Sequence, residues 1–336
     1  MINISKSLVL VAFACFIQVS AFSQIKKVEA IGITVSQMDR SVLFYARVLG
    51  FKKVSDLEVS GNEFEQLQGI FGLRMRIVRM QLGDEFIELT DYLTSGGRSI
   101  PEDAKSNDLF FQHIAIVVSD MDKAYQQLRR FNVEYVSTGP QTLPKSNPAV
   151  EGIRAFYFHD PDRHNLELIY FPKGKGQPKW QNGKGKVFLG IDHTAIGVSN
   201  SDTSLKFYHD ILGFTRKGES WNNGTEQSHL NDVENASLHI TALRVAEGPG
   251  LEFLQYLVPG PGKTYPTDSR ADDIWHWQMI VITSDAEKLF EEFKRSSYRI
   301  VSGQLVHMMA KNNFRSKSFI VRDADGHAVL IREIFK

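Results

Sequence analysis

Apolar positions along this chain change period in the same order four times. A run of β-branched residues comes first, as in Ile31-Gly-Ile-Thr-Val35 and His113-Ile-Ala-Ile-Val-Val118. A turn bearing Ser or Asp follows, then a stretch with helical spacing, then shorter runs of Val, Ile, Leu and Phe. Period two marks strands and period 3.6 an amphipathic helix, and Ser or Asp before the helical stretch supplies its N-cap. The pattern predicts an α+β chain of four βαβββ modules, near residues 25–95, 108–173, 187–260 and 272–336.

The modules repeat in sequence as well as in pattern. Phe44-Tyr-Ala-Arg-Val-Leu-Gly-Phe51 aligns with Phe207-Tyr-His-Asp-Ile-Leu-Gly-Phe214. The stretch from His113 to Leu128 resembles that from Gln278 to Phe293. The Asp-rich hairpin from Phe156 to Tyr170 matches that from Phe319 to Glu333. An internal repeat of this length reads as a duplicated domain, with copies over residues 25–173 and 187–336. Residues 174–186 between them are rich in Gly and Lys and read as a solvated linker. The loops near residues 94–107, 142–150 and 259–270 are long enough to cover a cavity.

Composition narrows the partners. Among 336 residues, 39 are basic and 39 acidic, so no electrostatic footprint points to nucleic acid or an anionic surface. A hydrophobic share of 42% suffices for a sizeable core. Residues 1–23 differ from the rest: Lys6, then about a dozen apolar residues, then Ala21 and Ser23. This reads as a signal peptide cut after Ser23, which makes the mature protein secreted or periplasmic and free of the membrane; an uncleaved anchor is the alternative. Cys15 is the one cysteine and lies in that segment. The mature chain then has no disulfide, no thiolate nucleophile and no cysteine-ligated metal.

The Leu-Gly-Phe helix ends, the Ser-Asp turns and the Asp160-Pro-Asp-Arg-His-Asn-Leu-Glu-Leu168 hairpin resemble the vicinal oxygen chelate superfamily. That superfamily holds glyoxalase I, methylmalonyl-CoA epimerase, extradiol dioxygenases and bleomycin-resistance proteins. The resemblance covers nearly all of the chain after residue 25. It implies curled mixed sheets, two modules closing around one metal cavity, and ligands on the first and last strands of a module.

Carried over residue by residue, the resemblance places Ala30 and Glu88 in module one and His113 and Glu167 in module two. Module three offers His193 and Glu252, and module four Gln278 and Leu330. Ala30 and Leu330 cannot bind a metal. Glu29 adjoins Ala30, but strand alternation turns it to the other face. If module two pairs with three and one with four, the inner site holds His113, Glu167, His193 and Glu252, and the outer site keeps only Glu88 and Gln278. Pairing within each repeat leaves both sites one ligand short. The crossed pairing accounts for where the losses fall. His164 and His327 read as structural, and His276 as a possible substitute ligand.

Imidazole and carboxylate suit divalent Zn, Ni, Co, Mn or Fe with positions left open for substrate oxygens. The resemblance therefore implies a metal-dependent lyase, isomerase or epimerase. It would abstract a proton next to a carbonyl of a small hydroxy-carbonyl, sugar-derived substrate, with Glu167 and Glu252 as candidate bases. A non-catalytic small-molecule binding protein of the resistance type is the alternative. An extradiol dioxygenase is disfavoured, because both of its triads would be broken. Four modules in one chain permit a monomer.

Overall fold

The computed structural model describes residues 25–183, 185–309 and 315–335. The expected signal segment over residues 1–23, Cys15 included, lies outside them. Module one contains β1 (Ile25–Thr34), α1 (Met38–Leu49), β2 (Lys52–Ser60), α2 (Asn62–Gln68), β3 (Arg74–Leu82) and β4 (Glu85–Tyr92). Module two contains β5 (Gln112–Val118), α3 (Met121–Arg130), β6 (Gln141–Thr142), β7 (Arg154–His159) and β8 (Asn165–Tyr170). Module three contains β9 (Phe188–Gly197), α4 (Ser201–Leu205), β10 (Thr215–Asn222), α5 (Thr225–Asn231), β11 (Ser237–Arg244) and β12 (Gly250–Val258). Module four contains β13 (Trp277–Thr283), α6 (Ala286–Lys294), β14 (Arg299–Ile300), β15 (Val306–Met309), β16 (Arg315–Arg322) and β17 (Ala328–Phe335).

The helix ends follow local chemistry. Asp120, Asn200 and Asp285 each accept a backbone N–H three residues on and so cap α3, α4 and α6. Gln37 makes no such bond; there the Asp91 carboxylate on β4 accepts from Met38 N at 3.0 Å. Gly50 sits at φ +76° after α1, the left-handed turn that the Leu-Gly-Phe motif exists to make.

Two curled mixed sheets result. One runs β14-β16-β17-β13-β1-β4-β3-β2, with β15 paired to β16; the other runs β10-β11-β12-β9-β5-β8-β7-β6. Module four therefore joins module one, and module three joins module two: the crossed pairing. Antiparallel seams β1–β13 and β5–β9 close each sheet, while first and last strands within a module run parallel.

Alternation sorts the two faces. Ile114, Ile116, Leu166, Leu168, Leu251 and Phe253 point into the main core, which draws on all four modules. His113, Glu167 and Glu252 face the other way and line a cavity. The seam strands depart from strict alternation. At β9, His193 opposes Ala115 but Ile191 opposes Ile116, so Asp192 is the extra residue of a β-bulge. Ile191 accordingly enters the core while His193, two residues on, faces the cavity. Glu29 is the extra residue at the equivalent place in β1.

Candidate metal centre

Three donors converge in the inner sheet. His113 Nε2 lies 3.2 Å from Glu167 Oε2, and His193 Nε2 lies 3.5 Å from the same oxygen. Glu252 Oε2 lies 3.5 Å from His193 Nε2 on the other side. Among the described residues, His113, Glu167 and His193 form the one group of three such side chains whose donors all lie within 4.8 Å of one another. Glu252 stands at the edge of this group. Donors about 2.1 Å from one ion at tetrahedral angles sit roughly 3.4 Å apart, which matches these spacings.

The electrostatics fit a cation. Buried His113 holds Nε2 within ion-pair range of Glu167 but in no well-formed hydrogen bond, an expensive state for a polar side chain unless something fills the space it faces. Burial would raise the Glu167 carboxyl, but the imidazoles of His113 and His193 outweigh it and hold it near about 2. Burial would lower His193, but Glu252, Asp192 and Glu167 hold it well above the usual imidazole range. Of the three carboxylates here, Asp192 pairs with the Arg244 guanidinium, while Glu167 and Glu252 face imidazoles. A divalent ion would balance the remainder.

The cavity around this group measures about 570 Å³. Module two lines it chiefly with apolar side chains, including Leu143, Val150, Ile153 and Ile169. Module three adds Lys217, Ser220, Asn222 and Gln227. Leu143, Ala149 and Val150 of the expected covering loop do border this space.

The outer sheet is built differently. Strand register places Ala30, Glu88, Gln278 and Leu330 where the inner sheet has His193, Glu252, His113 and Glu167. Ala30 and Leu330 pack with Leu67, Ile280, Val306 and Ile320 into a buried apolar cluster. Arg79, standing where the inner sheet has Ala242, reaches Glu88 at 2.9 Å and Glu29 at 3.4 Å, and Arg332 reaches Glu29 at 3.4 Å. Two guanidinium groups occupy the charge role of a dication. Glu88 is thus engaged in ion pairing, and Gln278 sits beside His276 with its Oε1 unpartnered. The alternation rule fails for Glu29, because the bulge turns it towards Arg79 on the same side as Glu88. His276 contacts Arg322 at 3.2 Å, and burial, then that neighbour, pushes it down to about 3. Among the described residues it joins no ligand group.

The turn histidines are buried. His164 bridges Asp160 at 2.9 Å and the Ile274 carbonyl at 2.7 Å, and His327 Nε2 meets the Gly197 carbonyl at 2.7 Å. Trp221 is exposed and stacks on His239, while Trp275 and Trp277 border a separate cavity of about 350 Å³. Sequence reasoning missed Asp192, Arg244 and Arg79. Each acts through a partner distant in sequence or through a bulge, and neither leaves a periodic signal.

Comparisons with known proteins agree with this architecture. The profile of the Glyoxalase/Bleomycin resistance protein/Dioxygenase superfamily matches residues 27–168 and again 190–331. An uncharacterized protein, YwkD, of Bacillus subtilis is 26% identical over 144 residues, covering 43% of this chain and 96% of that protein. Glyoxalase I of Saccharomyces cerevisiae is 29% identical over 124 residues, 37% of this chain and 32% of that enzyme. Among solved structures, a glyoxalase I mutant from Zea mays superposes with a TM-score of 0.60 at 17% identity, over 92% of this chain and 94% of that one. A putative dioxygenase from Bacillus subtilis gives 0.56 at 15% identity, over 93% and 86%. At such identities the structural likeness speaks for the fold alone.

Proposed function

The chain belongs to the glyoxalase/bleomycin resistance protein/dioxygenase superfamily, and from that premise we propose that it is a metal-dependent enzyme of the glyoxalase type. It would abstract a proton next to a carbonyl of a small hydroxy-carbonyl compound. The observation that carries this reading is the convergence of His113, Glu167 and His193 on one buried point, with Glu252 beside it at the cavity. The likeness to yeast glyoxalase I, though partial, is in keeping with it.

His113, Glu167, His193 and Glu252 would hold a Zn, Ni, Co, Mn or Fe ion. When bound, the ion would polarise the substrate carbonyl and stabilise negative charge developing on its oxygen. Glu167 contacts both imidazoles and is fixed between them. Glu252 contacts His193 alone, and its side chain is 26% exposed against 6% for Glu167. Glu252 is therefore the base in this proposal: its carboxylate takes the proton and returns it after the charge has moved. The apolar wall of module two flanks the transfer, and Asn222 and Gln227 offer amides to substrate hydroxyls. The proposal includes export through residues 1–23, which makes a thiol conjugate of the cell interior a poor substrate and a sugar-derived one a good fit.

Metal content and hydrogen exchange test the reading together. Wild-type protein should carry metal, and His113→Ala and His193→Ala should lose it; unchanged stoichiometry in both variants would sink the site. In D₂O, small hydroxy ketones and aldoses should acquire deuterium next to the carbonyl. Glu252→Gln should slow that exchange by roughly 10²–10⁴-fold.

A further inference from the structure

The segment between the two repeats does more than span them. Trp180 is buried, and its indole Nε1 donates to Asp192 Oδ1 at 2.6 Å. Gln177 Nε2 donates to the same oxygen at 3.0 Å. Arg244 Nη2 donates to Asp192 Oδ2 at 2.7 Å, and that oxygen lies 3.1 Å from His193 Nδ1. Asp192 is the bulge residue of β9, so its carboxylate lies along the ring of its own neighbour instead of across the sheet.

The segment is fastened on its far side as well. Lys179 pairs with buried Glu85 of module one and lies 4.2 Å over the Trp180 ring. Glu85 Oε2 also accepts from Ile191 N at 3.1 Å, one residue before Asp192. Gly190 makes the fit possible: a Cβ there would stand 2.3 Å from Glu85 Oε2 and 2.8 Å from Trp180. Gly176 and Gln177 themselves border the cavity.

We infer that residues 176–180 form a clip of the metal site, in which Trp180 and Gln177 aim Asp192, and Asp192 holds His193 with Nε2 directed at the cavity. A carboxylate on Nδ1 fixes the ring orientation and keeps the proton on that nitrogen, leaving the other as donor. Asp192, Trp180 and Gln177 are positioning residues; none is asked to touch substrate. The inference rests on the reading of His193 as a ligand, and it makes an inter-repeat segment part of the site.

Cobalt(II) binding and the His193 ring proton decide the matter. Full-length wild type, Asp192→Asn, Trp180→Phe and Gln177→Ala are titrated with cobalt(II), with metal-free melting curves as a folding control. Asp192→Asn should weaken cobalt binding by about 10–100-fold. Trp180→Phe and Gln177→Ala should weaken it by smaller factors, without a matching change in the metal-free melting curve. Unchanged affinity in folded Asp192→Asn overturns the inference; should Trp180→Phe not fold, Gln177→Ala decides the role of the clip. In ¹⁵N-labelled metal-free protein, a hydrogen-bonded Nδ1–H resonance, assigned by its loss in His193→Gln, should be present in wild type and lost in Asp192→Asn. If wild type binds no cobalt, the metal reading fails by itself. The resonance then supports the positioning by its presence and refutes it by its absence.

Discussion

Tyr45 Oη lies 3.1 Å from Asp160 Oδ2, and Tyr208 Oη lies the same 3.1 Å from Asp323 Oδ2. In each pair the hydroxyl comes from the aromatic motif of one module and the carboxylate from the hairpin turn of the next. Since those modules belong to different sheets, the two contacts stitch the sheets together inside the core. Burial, then the neighbouring carboxylate, pushes both phenols well above their usual range, so they stay neutral and donate. Tyr45→Phe and Tyr208→Phe should each cost about 1–3 kcal/mol in urea unfolding, because each leaves a buried carboxylate short of a donor. A cost near zero in both would show that the stitching is unimportant.

Asp160 and His164 give the fold a pH window. Burial would raise Asp160, but His164 and backbone N–H groups outweigh it and lower its pKa from 3.8. Burial would lower His164, but Asp160 outweighs it and raises its pKa from 6.5. The depressed Asp contributes stability above 3.8 that is lost as pH falls through its folded value. The raised His contributes stability below 6.5 that is lost as pH climbs through its folded value. Their joint contribution is complete between those two values and declines on either side. In Asp160→Asn, the His164 titration followed by NMR should move down, since the strongest influence raising it is gone while burial remains.

Metal should bind once per chain. Arg79 and Arg332 already neutralise the outer carboxylates, and Ala30 and Leu330 offer no donor. Isothermal titration of the metal-free protein with Zn²⁺ should give one site. At 100 times the dissociation constant, binding should add about 2.7 kcal/mol to stability. His113→Ala should abolish that gain. Two equivalents bound specifically would contradict the account of the outer half.

The outer half should behave as core. Leu330→Ala should cost about 2–5 kcal/mol in denaturant unfolding and leave the zinc stoichiometry at one. A loss of metal binding would mean that the two halves are coupled more tightly than their contacts show.

Most of the fold was legible because strand and helix periods are local. The repeats, the caps at Asp120 and Asp285 and the Leu-Gly-Phe turn all follow from neighbours in sequence. Crossed pairing was legible for a different reason: the ligand losses at Ala30 and Leu330 fall in one sheet only if module one meets module four. The bulges at Glu29 and Asp192 escaped, since an inserted residue resets the alternation that a sequence reading assumes. Arg79 and Trp180 escaped because an arginine on a strand or a tryptophan in a Gly- and Lys-rich segment has no meaning until its distant partner is known. The four inner candidates do come together, with Glu252 the least buried of them.

Crossed pairing also sets an order of events during synthesis. Ile31 of β1 finds its partner in Met279 of β13, and Ala115 of β5 finds its partner in His193 of β9. The β5–β9 seam can close as soon as β9 follows the first repeat, but the β1–β13 seam must wait for the last module. The β1 edge waits uncovered while the rest of the chain emerges, and such an edge invites pairing with strangers. Long-range pairing of this kind also slows folding, since loop closure must precede any reward. A chain that keeps its outer sheet open until its last module arrives depends on whatever shields it in the meantime.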